Sequence, residues 1–229
     1  MNMKIFTVSV GLFFPNIICS TDSCLATSAI EAQGRDFLFI RHGQTPWGPD
    51  DILKGPQDLE LDETGRHQAE GAFWTVKEHQ DIHKPIIFSS HLKRAFETAT
   101  IFANKLGEHV SIELVEGLQE RYYGDYRDAP PENPRAYQPA DAESTEAFQR
   151  RVQETLISIF KQTPKDEGDL IIVSHQKVFE FLAEWLSHEK LRLDQGAVCH
   201  FRFEDGKFSA EIYKSSSASV SSGFSSGAD

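Results

Sequence analysis

Cysteine is scarce and basic charge is outnumbered in this 229-residue chain, and each shortage excludes a class of function. The three cysteines, Cys19, Cys24 and Cys199, make no metal-ligand spacing, and two of them fall in an apolar leader. Lysines and arginines number 23 against 35 aspartates and glutamates, a formal net charge of −12, so nucleic acid and anionic lipid would both meet a repulsive surface. A small phosphate ester remains compatible, because a few convergent arginines set the potential inside a cleft whatever the overall sign. Long apolar runs are also missing. The stretch from Ile5 to Ile18, behind Lys4, is too short for a comfortable membrane span but suits a signal peptide, with Ser20, Ala26 and Ala29 as small cleavage positions. Export to a periplasm or to the medium is the expectation, with a cytoplasmic protein as the alternative and no stable membrane span in either case.

What is present is the composition of an ordinary globular domain, with 39% hydrophobic and 25% charged residues. Three segments follow: a leader over 1–35, a folded domain over 36–214, and a Ser/Gly-rich tail over 215–229 that is too poor in large apolar residues to order itself. The domain opens on Phe37, Leu38, Phe39 and Ile40, a continuous apolar run of the kind found in buried strands. Pro85 to Ser89 and Leu170 to Ser174 read the same way, and Val198 to Phe203 with Phe208 to Tyr213 flank Asp205 and Gly206 as a hairpin.

Helices alternate with these strands. Leu92, Ala95, Phe96, Ala99, Phe102, Ala103 and Leu106 follow the i, i+3, i+4, i+7 spacing up to Gly107, a C-terminal stop. Phe148, Val152, Leu156 and Ile159 follow the cap candidate Ser144, and Ala69, Phe73 and Val76 follow Asp62. Alternation of this kind predicts an α/β domain, a three-layer α/β/α sandwich around a mostly parallel mixed sheet. Ala129 to Ala140 is a proline-bearing loop of a length that suits the border of a site.

The chemistry-bearing residues sit where strands end. Arg41 and His42 come directly after the first apolar run, where α/β sheets bind ligands. A neutral imidazole there is a nucleophile, an arginine grips phosphate with its planar fork, and Gly43 would let the backbone approach an anion. Arg94 lies outside the apolar stripe in the first turn of its helix, where a phosphate would also meet free N–H groups. Glu120, in a stretch with no helical period, has the chemistry of a general acid and base. His175 ends another apolar strand. Taken singly, each is as readily a surface charge or a capping group, but the two histidines and Arg94 share one context, the carboxyl end of an apolar strand, and in a layered α/β sheet those ends converge on one edge.

Other groupings carry less. His79 and His83 have the i, i+4 spacing of a metal pair but read as a polar helix end, and no carboxylate completes a zinc signature. Cys199 reads as a core residue, and Glu63, Arg66 and Glu70 as a solvated helix face.

In order along residues 36–213, the segments RHGQTPW, LELDETGRHQA, SSHLKRAFETA, LQERYYG and VSH resemble the histidine phosphatase superfamily, which includes phosphoglycerate mutases and many phosphomonoesterases. The resemblance implies that His42 forms a phosphohistidine, that Arg41, Arg94 and His175 grip the phosphoryl oxygens, that Glu120 is the proton donor, and that Gln44 and Thr45 line the pocket. It implies no metal and no cofactor, since phosphoryl transfer needs mainly positioning and charge neutralisation. One departure stands out: Gly48 follows Trp47 where many members have an asparagine. Mutases of the family usually carry a longer insertion after the glutamate motif than the short span here between Glu120 and His175. The expectation is therefore a phosphomonoester hydrolase acting on a small phosphorylated metabolite. The alternatives are a phosphoglycerate mutase and an inactive phosphate-binding module, and the substrate and oligomeric state are not legible.

Overall fold

The computed structural model describes Ile30 and residues 33–46, 58–107, 110–125 and 139–214. The proposed signal sequence, Trp47 and Gly48, the Ser/Gly-rich tail and all but the last two residues of the Ala129–Ala140 loop lie outside the described residues.

Strands that open on a continuous apolar run must be covered on both faces. β1 (Phe37–Arg41), β2 (Ile86–Ser90) and β4 (Leu170–Ser174) are such strands, each ending in a polar residue, and they form the middle of a six-stranded sheet. Its order is β3-β2-β4-β1-β5-β6, where β3 is Ile112–Val115, β5 is Val198–Glu204 and β6 is Lys207–Ile212. The first four run parallel, and β5 and β6 are antiparallel.

Alternation along each strand sends its side chains to two separate cores. Leu38, Ile40, Ile87, Ile171, Val173 and Val198 pack under α1 (Glu63–His79) and α2 (Lys93–Leu106). Phe37, Phe39, Phe88, Leu170 and Ile172 pack under α3 (Thr145–Gln162) and α4 (Gln176–Leu182). The result is the expected three-layer α/β/α sandwich. Burying a ring such as Phe39 contributes about 1.5–3 kcal/mol, and Phe37 stacks on Phe201 at 4.6 Å between centroids.

Local signals set the ends of these elements. Asp62 caps α1 by accepting from the Gly65 N–H at 2.7 Å, and Ser144 caps α3 through Ala147 at 3.1 Å. Gly107, at φ 128°, stops α2, and Asp205 and Gly206, at φ 50° and 77°, turn the β5–β6 hairpin.

The structure departs from expectation at several points. β2 starts at Ile86, because Pro85 has no N–H, and the Ile86 N–H donates to Asp169 O at 2.9 Å. β6 ends at Ile212 rather than Tyr213, whose hydroxyl turns aside to donate to Gln80 at 2.9 Å. The sequence does not announce β3: it is a four-residue edge strand with an exposed Glu113 and a half-exposed Leu114, too short to stand out. The packed part also begins before Asp36. Ile30 is buried in the aromatic core, and the Arg35 guanidinium donates to Thr163 O at 2.6 Å and Pro164 O at 2.9 Å.

Candidate active site

Parallel pairing places the two histidines. β1 and β4 are neighbours in a register that sets Arg41 opposite Ser174, so the next residue on each strand is a histidine. The His42 N–H donates to Ser174 O at 3.0 Å, and the imidazoles lie 5.1 Å apart between centroids. β2 pairs with the other side of β4 and leads through Ser90 into α2, whose first turn carries Arg94. β3 leads into a single helical turn (Glu116–Leu118) that delivers Glu120 to the same edge. Each element therefore reaches the site from the carboxyl end of a parallel strand.

Both ring nitrogens of His42 are committed. Nδ1 lies 2.7 Å from its Gly43 carbonyl, an acceptor only, so Nδ1 carries the proton and Nε2 the lone pair. Arg94 Nε donates to that Nε2 at 3.3 Å. Burial first, then the Arg94 charge, push the His42 pKa down to about 3, with the Gly43 carbonyl opposing and Arg41 adding to the drop. The imidazole is neutral at physiological pH, with its nucleophilic nitrogen beside a guanidinium.

Glu120 has the opposite tuning. Burial raises its pKa, while the Arg121 and Lys177 N–H groups, donating at 3.0 Å and 3.2 Å, and the Arg94 and Arg41 charges pull it back. A carboxyl with a raised pKa near a neutral imidazole is an acid and a nucleophile kept apart by their environments. Arg41 donates to Leu193 O at 2.8 Å, while its buried Nε has no hydrogen-bond partner among the described residues. His175 Nδ1 is likewise buried and unpartnered among them, and burial followed by the Arg94 charge holds its pKa well below the ordinary value. Two buried nitrogens without partners at one strand edge, the Arg41 one a donor, leave room there for an anion.

The structure brings Arg41, His42, Arg94, Glu120 and His175 together. It treats other expected residues differently. The Gln44 amide nitrogen donates to Asp62 at 3.0 Å and its N–H to Gln68 at 2.7 Å, so this side chain locks the loop after β1 onto α1. Thr45 follows on the same loop, partly exposed. Gly43 is required by the protein's own packing: a Cβ there would stand 2.3 Å from Gly65 O. The N–H groups at the start of α2 are not free either, because Ser90 Oγ takes that of Leu92 at 3.3 Å and Asp58 that of Lys93 at 2.7 Å. The solvated face of α1 is cross-linked: Arg66 pairs with Glu97 at 2.6 Å and Glu70 with Lys105 at 3.3 Å.

Supporting residues went unassigned in the sequence because their types are common. Thr98 Oγ1 accepts the Gly43 N–H at 3.1 Å and donates to Arg94 O at 2.7 Å, joining the β1 loop to α2. Ser174 Oγ donates to Leu118 O at 2.7 Å. Arg151 reaches from α3 to Gly117 O at 2.8 Å and Gln119 O at 3.0 Å while gripping Glu143, and so holds the segment before Glu120. Away from the site, Cys199 is in the core as expected, with burial pushing its thiol up to about 12. His79 stacks on Tyr213 at 4.1 Å, and His83 lies beyond the end of α1, so their spacing is not helical. Among the described residues, no group of three metal-ligating side chains comes together, and no helix is long and apolar enough to cross a membrane.

The chain resembles several known proteins in sequence and fold. The chain is similar to phosphoglycerate mutase-like protein 4 of Arabidopsis thaliana, 28% identical over 207 residues that cover 82% of this chain and 89% of that protein. It is also similar to the uncharacterized phosphatase PhoE of Bacillus subtilis, 28% identical over 184 residues, 76% of this chain and 92% of that one. Among solved structures, a putative alpha-ribazole-5'-P phosphatase from Escherichia coli superposes with a TM-score of 0.64 at 20% identity, over 79% of this chain and 96% of that one. The model of the histidine phosphatase superfamily (branch 1) matches residues 37–215, and the chain belongs to that superfamily.

Proposed function

We propose that the protein is a phosphomonoester hydrolase that works through a phosphohistidine at His42 and needs no metal ion. The observation that carries this reading is the state of His42: neutral, its proton on Nδ1 held by the Gly43 carbonyl, its Nε2 lone pair beside Arg94. In the first step Nε2 attacks the phosphorus of a bound ester and the P–O bond to the leaving group breaks. Glu120 gives its proton to the departing oxygen, as its raised pKa suits. In the second step water attacks the phosphohistidine, its proton goes to the Glu120 carboxylate, and the P–N bond breaks to release inorganic phosphate. Arg41 and Arg94 neutralise the equatorial oxygens, the task that a metal ion performs in other phosphoryl transfers.

The test is hydrolysis of p-nitrophenyl phosphate by the purified chain in excess chelator, with rapid-quench trapping of labelled phosphohistidine. Activity should survive the chelator and vanish with the label in His42→Ala; a robust rate in that variant rules the mechanism out. A second reading, phosphoglycerate mutase, is favoured by the likeness to the Arabidopsis mutase-like protein. It shares the first step and differs in the acceptor, a substrate hydroxyl in place of water. Interconversion of phosphoglycerates at a rate exceeding hydrolysis would select it.

A further inference from the structure

Ser90 ends β2 fully buried, and its hydroxyl meets two groups among the described residues. The Leu92 N–H donates to Oγ at 3.3 Å, and His175 Nε2 lies 2.9 Å away. A hydroxyl has one hydrogen and two lone pairs. With a lone pair engaged by Leu92, the hydrogen still needs an acceptor, and a buried donor left without one is penalised. Were His175 Nε2 protonated, Oγ would accept twice and its own hydrogen would have no acceptor among the described residues. Were Nε2 bare, the hydroxyl would donate to it and every group at this junction would be matched. The ring proton of His175 then sits on Nδ1, the buried nitrogen that has no partner among the described residues.

Tautomer matters here because charge does not intervene: burial, Arg94, His42 and Arg41 together keep His175 neutral. A neutral imidazole is either a donor or an acceptor at a given nitrogen. With Nδ1–H it can bond an equatorial oxygen of a phosphoryl group on the neighbouring His42; with the proton on Nε2 it would turn a lone pair toward that oxygen and repel it. We infer that Ser90 is a positioning residue: by donating to His175 Nε2 it sets the Nδ1–H tautomer and makes this histidine a hydrogen-bond donor to the transferring phosphoryl group. This inference rests on the phosphohistidine reading of His42.

The test reads the tautomer directly, on the full chain with 15N-labelled histidine, by two-bond 1H–15N correlation spectra. The His175 signals are identified by their loss in His175→Gln. Wild type should show a protonated Nδ1 and a bare Nε2, with the Nδ1 proton moving downfield when inorganic phosphate is added. In Ser90→Ala the proton should move to Nε2 in part or wholly, and the phosphate response should weaken. In turnover, Ser90→Ala should lower kcat by about 10–100-fold, the worth of one hydrogen bond to a charged group, with KM little changed. It should cause no further loss in a His175→Ala background. Ser90→Cys, whose thiol donates weakly, should fall between. A wild-type spectrum with Nε2 protonated, or a tautomer unaltered in Ser90→Ala, overturns the inference. Absence of ester hydrolysis by wild type would instead overturn the enzyme reading, while the spectrum still decides the role of Ser90.

Discussion

A methyl group placed at Gly65 should damage the site without touching any of its chemical groups. Gly65 lies in the first turn of α1, and its Cα faces the loop that follows His42. A Cβ there would stand 2.0 Å from Gln44 O and 2.8 Å from Gln44 N, both backbone atoms in a loop pinned by Gln68, Asp62 and Thr98. Non-bonded atoms pack at roughly 3.5 Å, so the loop or the helix must yield by about 1 Å or more. Overpacking of this kind costs about 1–3 kcal/mol, offset by up to about 1 kcal/mol from removing a glycine from a helix. For a domain of this size, at about 2–4 °C per kcal/mol, the balance lowers Tm by up to roughly 12 °C. Because the moved loop begins at the nucleophile, kcat should fall on the order of 100-fold.

Gly71 provides the control, since it sits in the same helix with nothing within 4 Å of a new Cβ. Gly71→Ala should leave kcat unchanged and raise stability by about 0.5–1 kcal/mol. Turnover of p-nitrophenyl phosphate and thermal melts of both variants test this. Parallel shifts in Tm for the two, or wild-type kcat in Gly65→Ala, would refute the claim that two glycine backbones in contact position His42.

Further predictions follow from the electrostatics. Because the His42 pKa is pushed down to about 3, kcat/KM should hold at pH 5, where an ordinary imidazole is mostly protonated; a loss of kcat/KM centred near pH 6.5 would contradict this. Buried neutral His42 and His175 bind protons less readily than they do when unfolded. Stability is therefore full above about pH 6.5 and falls below it by up to about 1.4 kcal/mol per pH unit for each histidine. Denaturant unfolding across pH 4–7 measures the slope, and His175→Gln should reduce it. Activity should decline at high pH as Glu120, with its raised pKa, loses the proton it donates; Glu120→Gln should lower kcat and abolish that limb. Arg94→Met removes the donor to His42 Nε2 and a cation at the site, so kcat should drop roughly 100–1000-fold while the acid limb moves toward higher pH. Arg151→Met should destabilise the segment before Glu120, reducing kcat more than KM, as steady-state kinetics would report.

The sheet and its helices were legible because their signals are local. Runs such as Phe37 to Ile40 and Leu170 to Ser174 announce strands buried on both faces, and Asp62, Ser144 and Gly107 announce the helix ends through caps that act within four residues. The reactive residues were legible as types at strand ends, and the ordered motifs joined them into one reading. The β3 edge strand escaped, since four residues are too few to establish a periodicity, as did the packing of Ile30 and Arg35.

Which atoms meet was decided only in three dimensions. The Arg41–Ser174 register makes His42 and His175 neighbours across a span of sequence in which no local pattern records their distance. The room beside Gly43 is taken up by Gly65, and the Gln44 amide, expected at the pocket, also holds the cap of α1. The physical reason is common to these cases. Propensity, hydrophobic period and capping operate over a few residues and are written along the chain, whereas hydrogen-bond partners, tautomers and pKa shifts depend on what lies within a few ångströms after folding. The sequence by itself determined that this chain builds a layered α/β domain with two histidines and two arginines at strand ends, and its ordered motifs add a glutamate to them. Only the tertiary structure decided that the first histidine is neutral with its lone pair beside Arg94, and that the second has Ser90 at its back.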